Sequence, residues 1–235
     1  MDALIFDFDG VVVDSEPVHL KAFQQVLRPA GIEMTRDDYY GKYLGFDDHD
    51  CFAAAAADNG KQFTEARIAK MIAAKTQLVQ RAFGGSVRAL SGAAELIADA
   101  AGAGVPLAIC SGALREEIVL AARTVGVRRH FRAIVTAEDV RRGKPDPEGY
   151  ALALERLARA AGRGLDPSRT VVVEDAPAGI RAAKALGMKV LAVTNSYSAD
   201  RLAEADRVVD SLKGVTAAGL DILLKEPGDA PAERG

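Results

Sequence analysis

Asp7 and Asp9 stand one residue apart at the end of an apolar run, in "ALIFDFDGVVVDSEP". Unpaired carboxylates are costly to bury, and neighbours of like charge repel. Leu4, Ile5, Phe6 and Phe8 leave little room for a solvated strand face, so a positive charge is expected nearby. Polar groups close other apolar runs as well: Ser111-Gly112-Ala113 in "ICSGA", and Glu174-Asp175 in "VVVEDAPAG". Carboxylates sharing a crevice repel by roughly 4 kcal/mol per close pair, for charges about 4 Å apart at an effective dielectric near 20. Protons or cations must offset that. Carboxylates are hard oxygen ligands, and no His/Cys cluster accompanies them. Mg²⁺ therefore suits the set better than zinc, with Asp7, Asp9, Glu174 and Asp175 as candidate ligands.

Magnesium in such sites commonly also holds a substrate phosphate, and donors for one are present. Ser111, Gly112 and Ala113 lead into a helical pattern, where a hydroxyl and backbone N–H groups could face an anion. Lys144, in "RRGKPDP", sits in a loop constrained by Pro145 and Pro147 and offers a point charge suited to a phosphoryl group. Taken alone it would read as an ordinary surface lysine. Its coincidence with the acidic strand ends favours the phosphate role.

These residues need elements to position them. Short apolar, often β-branched runs cover Ala3–Phe6, Val105–Cys110, Ala133–Thr136, Thr170–Val173 and Lys189–Val193, with a weaker one at Arg207–Val209. Helical patterns lie between them, at Ala93–Ala101, Glu116–Val125, Tyr150–Ala160 and Ala178–Leu186, the last closed by Gly187. Such alternation predicts an α/β fold: a doubly wound, Rossmann-like parallel sheet with helices on both faces, in which ligands bind beyond the carboxyl ends of the strands.

From Ser15 to Arg88 the sequence reads as helices alone. Val18, Ala22 and Val26 recur at helical spacing, Thr35 with Asp38 resembles a capping box, Cys51–Asp58 stops at Asn59-Gly60, and a further helix is expected over Glu65–Arg81. The insert is too long for a crossover helix and predicts a separate helical domain over residues 15–88, hinged at Ser15–Pro17 and Gly84–Leu90. Residues 1–14 and 89–225 would form the core. Residues 226–235, rich in Pro, Gly and charge, are expected to be disordered.

The 235 residues are 49% hydrophobic and 27% charged, with a net charge of −3, so no basic surface is offered to nucleic acid or anionic lipid. Cys51 and Cys110 read as buried thiols, and neither a signal peptide nor a membrane span is apparent. A cytoplasmic protein with a small-molecule partner is expected.

In order and spacing, "DFDGV" with Asp7 and Asp9, the Ser111 strand end, Lys144-Pro145 and Glu174-Asp175 resemble the four motifs of the haloacid dehalogenase superfamily, over Met1 to about Leu212. The insert resembles the helical cap of the subgroup containing β-phosphoglucomutase and phosphoglycolate phosphatase. The resemblance implies that Asp7 attacks phosphorus to form an aspartyl-phosphate. It implies that Asp9, with a raised pKa, protonates the leaving oxygen and then accepts a proton from water. It implies Mg²⁺ held by Asp7, the Asp9 backbone carbonyl and Asp175, with Glu174 acting directly or through water. Ser111 and Lys144 would hold the phosphoryl oxygens. Dehalogenases and phosphonate-cleaving members characteristically lack an aspartate at the Asp9 position, so phosphate ester chemistry is favoured.

His19 and Lys75 fall where the sugar-phosphate mutases carry a histidine and a lysine, although a helix-surface histidine and a solvated lysine are the plainer readings. Those mutases place an arginine shortly after a cap glycine. Counting from Gly45, that position is Asp48, flanked by Asp47 and His49, and an acid there would repel a second phosphate. The expectation is a Mg²⁺-dependent phosphatase acting on a small phosphorylated metabolite, a sugar phosphate being one candidate. A β-phosphoglucomutase-type mutase is the alternative, and a non-catalytic phospho-receiver or interaction module the alternative of another class.

Overall fold

The structure, a computed structural model, describes residues 1–44, 46–83 and 87–224. The chain divides into two compact units, one built from residues up to Asp14 and from Arg88 onward, the other from Ser15–Val87. In chain order, β1 (Ala3–Phe6) and β2 (Val13–Asp14) come first. The insert follows with α1 (Glu16–Leu27), α2 (Arg36–Asp38), α3 (Asp48–Asp58) and α4 (Glu65–Phe83). After β3 (Arg88–Ala89) come α5 (Ala93–Gly102), β4 (Leu107–Cys110), α6 (Arg115–Thr124), β5 (Phe131–Val135) and α7 (Glu148–Ala161). The chain continues through β6 (Thr170–Glu174), α8 (Pro177–Lys184), β7 (Lys189–Val193), β8 (Arg207–Val209) and α9 (Ala217–Leu220).

Six strands form one parallel sheet in the order β5-β4-β1-β6-β7-β8. After β1 the chain builds outward through β4 and β5, then returns to the other side of β1 with β6. That reversal is the topological switch point, and it opens a crevice at the carboxyl ends of β1, β4 and β6. Strands buried on both faces need continuous apolar runs, and β1, β4 and β6 are buried along their whole length. Against one face pack Tyr150, Leu157, Ile180 and Ala183 from α7 and α8, touching Ile5, Ala108 and Val172 of the sheet.

A correction concerns Arg88, expected within the helical insert. Instead β3 pairs antiparallel with β2, setting Arg88 against Asp14 and Ala89 against Val13. Two residues per strand, so far apart along the chain, leave no periodicity to read.

The helical unit has its own core of Phe23, Leu27, Tyr39, Tyr43, Phe52, Ile68 and Met71. The Thr35–Asp38 capping box forms and starts α2. Asp47 caps α3, its carboxylate accepting from the Asp50 N–H at 2.8 Å. Gly45, residues 84–86 of the expected hinge and the expected tail 226–235 lie outside the described residues. Among the described residues no helix is long and apolar enough to cross a membrane.

Candidate active site

The crevice gathers side chains from five loops, those after β1, β4, β5, β6 and β7. Asp7 follows β1 directly and extends its ladder by one bond, donating its N–H to the Val173 carbonyl at 2.9 Å. The chain then turns sharply, with the Phe8 carbonyl accepting from both Val12 and Val13 N–H groups. Gly10 makes that turn at φ +74°, and a Cβ on it would overlap the Asp175 carboxylate and the Ser196 hydroxyl. Only glycine meets both demands.

Lys144 is the positive charge expected beside the aspartates. Its ammonium donates to Asp7 Oδ1 and to Glu174 Oε1, both at 2.6 Å. An ammonium has three donors, so one remains for a third acceptor. Burial lowers the Lys144 pKa, but the Asp7 and Glu174 charges more than reverse that and hold it well above the usual lysine range. Lys144 is therefore a fixed cation. The surface-lysine reading does not hold, since only about a fifth of its side chain, 19%, is exposed.

Negative charge still exceeds positive. Carboxylate oxygens of Asp7, Glu174 and Asp175 lie within 4.8 Å of one another, all on buried residues. Burial, then the charges of Glu174 and Asp9, raise the Asp7 pKa against the pull of Lys144, to about 7. Burial, with Asp7 and Glu174 nearby, raises that of Asp175 well above the carboxylate range. A set of hard oxygens with surplus negative charge fits a divalent cation such as Mg²⁺, whose presence would favour the ionised forms.

Ser111 follows β4, and its Oγ accepts from the Ala113 N–H at 3.0 Å while lying 3.5 Å from Asp9 Oδ2. The helix begins only at Arg115, so Gly112 and Ala113 form a turn ahead of it, with the Ala113 N–H already engaged. That bond uses one lone pair of the Ser111 oxygen, while its hydroxyl donates to Asp9 Oδ2 across a long 3.5 Å contact that an anion could replace.

Several residues of the site were not singled out in the sequence. Asn195 donates from Nδ2 to the Gly10 carbonyl at 2.7 Å, and Ser196 donates its hydroxyl to the Asp175 carboxylate. The loop after β7 thus straps the β1 and β6 loops together. Tyr150 in α7 donates its hydroxyl to Glu174 Oε1 at 2.7 Å. Partners 24 and 185 residues apart leave no local pattern. Thr194-Asn195-Ser196 does close an apolar run, the same cue that singled out Ser111.

Within the helical unit, Lys75 is buried, its ammonium bound to the Asp48 carboxylate, 3.1 Å from His19 Nδ1 and 4.3 Å from the centre of the Phe23 ring. The solvated-lysine reading fails. Lys75 shares the buried stripe of α4 with Ile68, Met71, Val79 and Phe83, a spacing that could have signalled its position. His19 is partly buried; burial, then the Lys75 charge, pull its pKa down to about 3, so its imidazole is neutral. His49 bonds to Glu65 at 3.0 Å and Asp50 at 3.3 Å.

The profile of the haloacid dehalogenase-like hydrolase family matches residues 4–193. Validoxylamine A 7'-phosphate phosphatase of Streptomyces hygroscopicus subsp. limoneus is 31% identical over 211 residues, covering 90% of this chain and 94% of that protein. Hexitol phosphatase A of Escherichia coli K12 is 34% identical over 216 residues, covering 90% and 92%. Among solved structures, CbbY from Rhodobacter sphaeroides in complex with phosphate superposes with a TM-score of 0.80 at 28% identity, covering 94% of this chain and 99% of its own. The chain belongs to the haloacid dehalogenase-like hydrolase family, and its enzyme class is phosphoric monoester hydrolase.

Proposed function

We propose that this enzyme is a Mg²⁺-dependent phosphatase that hydrolyses a small, polyhydroxylated phosphate monoester through an aspartyl-phosphate on Asp7. The observation that carries the reading is the Lys144 ammonium held 2.6 Å from both Asp7 and Glu174 in a buried acidic cluster. An Asp7 carboxylate oxygen attacks phosphorus while the P–O bond to the leaving alcohol breaks. Asp9 supplies the proton that alcohol needs. Water then attacks the aspartyl-phosphate, Asp9 takes its proton, and the second P–O bond breaks to release phosphate and free Asp7. The third donor of Lys144 and the Ser111 hydroxyl hold phosphoryl oxygens as charge builds on them. Asp7, Asp175 and the Asp9 carbonyl would hold Mg²⁺, which when bound offsets phosphoryl charge.

Phosphatases among the relatives act on polyhydroxylated phosphates by their names, which supports that substrate class. The mutase alternative draws on the pairing of His19 with Lys75 in the helical unit. Against it, Asp48 already neutralises Lys75, leaving no free cation in that cluster for a second phosphate.

A panel of phosphorylated sugars and sugar alcohols, assayed with Mg²⁺ for released phosphate, tests the proposal. Asp7→Asn should fall to background on every ester the wild type cleaves. Interconversion of β-glucose 1-phosphate and glucose 6-phosphate with little phosphate release would overturn it in favour of the mutase.

A further inference from the structure

Glu174 is the acid whose role the sequence leaves most open, and its hydrogen bonds define it. Oε1 accepts from Lys144 Nζ at 2.6 Å and from the Tyr150 hydroxyl at 2.7 Å. Oε2 accepts from the Asp175 N–H at 2.9 Å and the Ala176 N–H at 3.0 Å. A carboxylate offers about four lone-pair sites, and these donors fill them. The group is also clamped in place: Glu174 is 1% exposed, and Gly179 passes so close that a Cβ there would overlap the carboxylate. Tyr150 is fully buried, donates to Glu174, and lays its ring 4.9 Å from the Lys144 ammonium. One side chain therefore steadies both partners of the Lys144–Glu174 ion pair.

We propose that Tyr150 is a positioning residue: it fixes Glu174 as the anchor of Lys144, so that Glu174 serves the lysine and is not a direct ligand of the cation. This rests on the phosphatase reading, because Lys144 is taken to hold the phosphoryl group. Three donors on the ammonium are divided between Asp7, Glu174 and substrate, so the third points correctly only if the first two are fixed. Without the Tyr150 hydroxyl, Glu174 Oε1 keeps Lys144 as its single donor, and the oxygen that anchors the ammonium is held less firmly even though Oε2 stays bound to the backbone.

The test compares wild type, Tyr150→Phe, Lys144→Ala and the double variant. Orthovanadate, a phosphoryl-transfer mimic, is titrated in the presence of Mg²⁺ and followed by ⁵¹V NMR. Mn²⁺ binding is followed separately by electron paramagnetic resonance. Tyr150→Phe should weaken vanadate binding three- to tenfold, leave the Mn²⁺ Kd within twofold, and add less than twofold to the loss in Lys144→Ala. Three results would overturn the proposal: unchanged vanadate binding in Tyr150→Phe, a Mn²⁺ Kd that rises in step with the vanadate Kd, or the same loss in the Lys144→Ala background. A wild type that neither binds vanadate nor cleaves any ester would instead overturn the phosphatase reading itself, before the variants are compared.

Discussion

Single atoms set the chemistry of this site, and two small residues show how. Ser196 gives its only hydroxyl proton to Asp175, a carboxylate that burial and neighbouring charge push toward the neutral form. A donor bonded to the ionised form opposes that push. Ser196→Ala should therefore raise the Mg²⁺ concentration for half-maximal turnover several-fold, with kcat at saturating Mg²⁺ within about twofold, as read from metal titrations of activity. Gly179 acts by having no side chain. A methyl there would overlap the Glu174 carboxylate, so Gly179→Ala should destabilise the fold by about 1–3 kcal/mol in denaturant unfolding, the usual cost of overpacking.

Between elements, Asp139 ties the edge of the sheet to two helices. It accepts from Arg115 at the start of α6 at 2.5 Å, from Arg156 in α7 at 2.8 Å, and from the Thr136 N–H and hydroxyl after β5, each at 2.9 Å. Burial raises its pKa, but the Arg156 and Thr136 hydrogen bonds and the Arg115 charge outweigh that and bring it down to about 2. A carboxyl that ionises more readily when folded adds stability above its unfolded pKa of about 3.9, and loses it as pH falls through the folded value. Urea midpoints of wild type and Asp139→Asn should thus differ at pH 6 and converge as the pH approaches 2. A gap that stays constant with pH would count against this role for Asp139. The ends of β1, β7 and β8 agree with their apolar runs in the sequence. β4 and β5 do not: β4 opens at Leu107, with Pro106 ahead of it lending only its carbonyl to the Leu4 N–H, and β5 opens at buried Phe131, hidden from the pattern by exposed Arg132.

Across the molecule, the alternation of apolar runs with helical patterns predicted the doubly wound sheet, and the motifs at the strand ends, which a switch point brings into one crevice, pointed to the family. Asp7, Ser111, Glu174 and Asp175 were legible as polar or charged ends of apolar runs, and Lys144 as a cation in a proline-bounded loop coinciding with them. Tyr150 was not, since a hydrogen bond between distant elements imposes no spacing on the chain, and Asn195 and Ser196 close an apolar run as Ser111 does without any spacing that points to Gly10 or Asp175. The buried cluster of Asp7, Glu174 and Asp175 carries a prediction for the site as a whole under the proposed function. Chelation should abolish ester hydrolysis, and added Mg²⁺ should restore it, as a phosphate-release assay would show.

The central strand has a price in time. Residues 4–6 pair with 107–109 on one side, and residues 3–6 with 170–173 on the other. Of the strands in this sheet β1 is made first, and one of its edges waits for residues 107–109 and the other for residues 170–173. Its apolar residues must be shielded during synthesis, by chaperones or by collapse of what has already emerged. A chain ending at residue 165 should stay protease-sensitive and prone to aggregate, whereas the full length resists digestion.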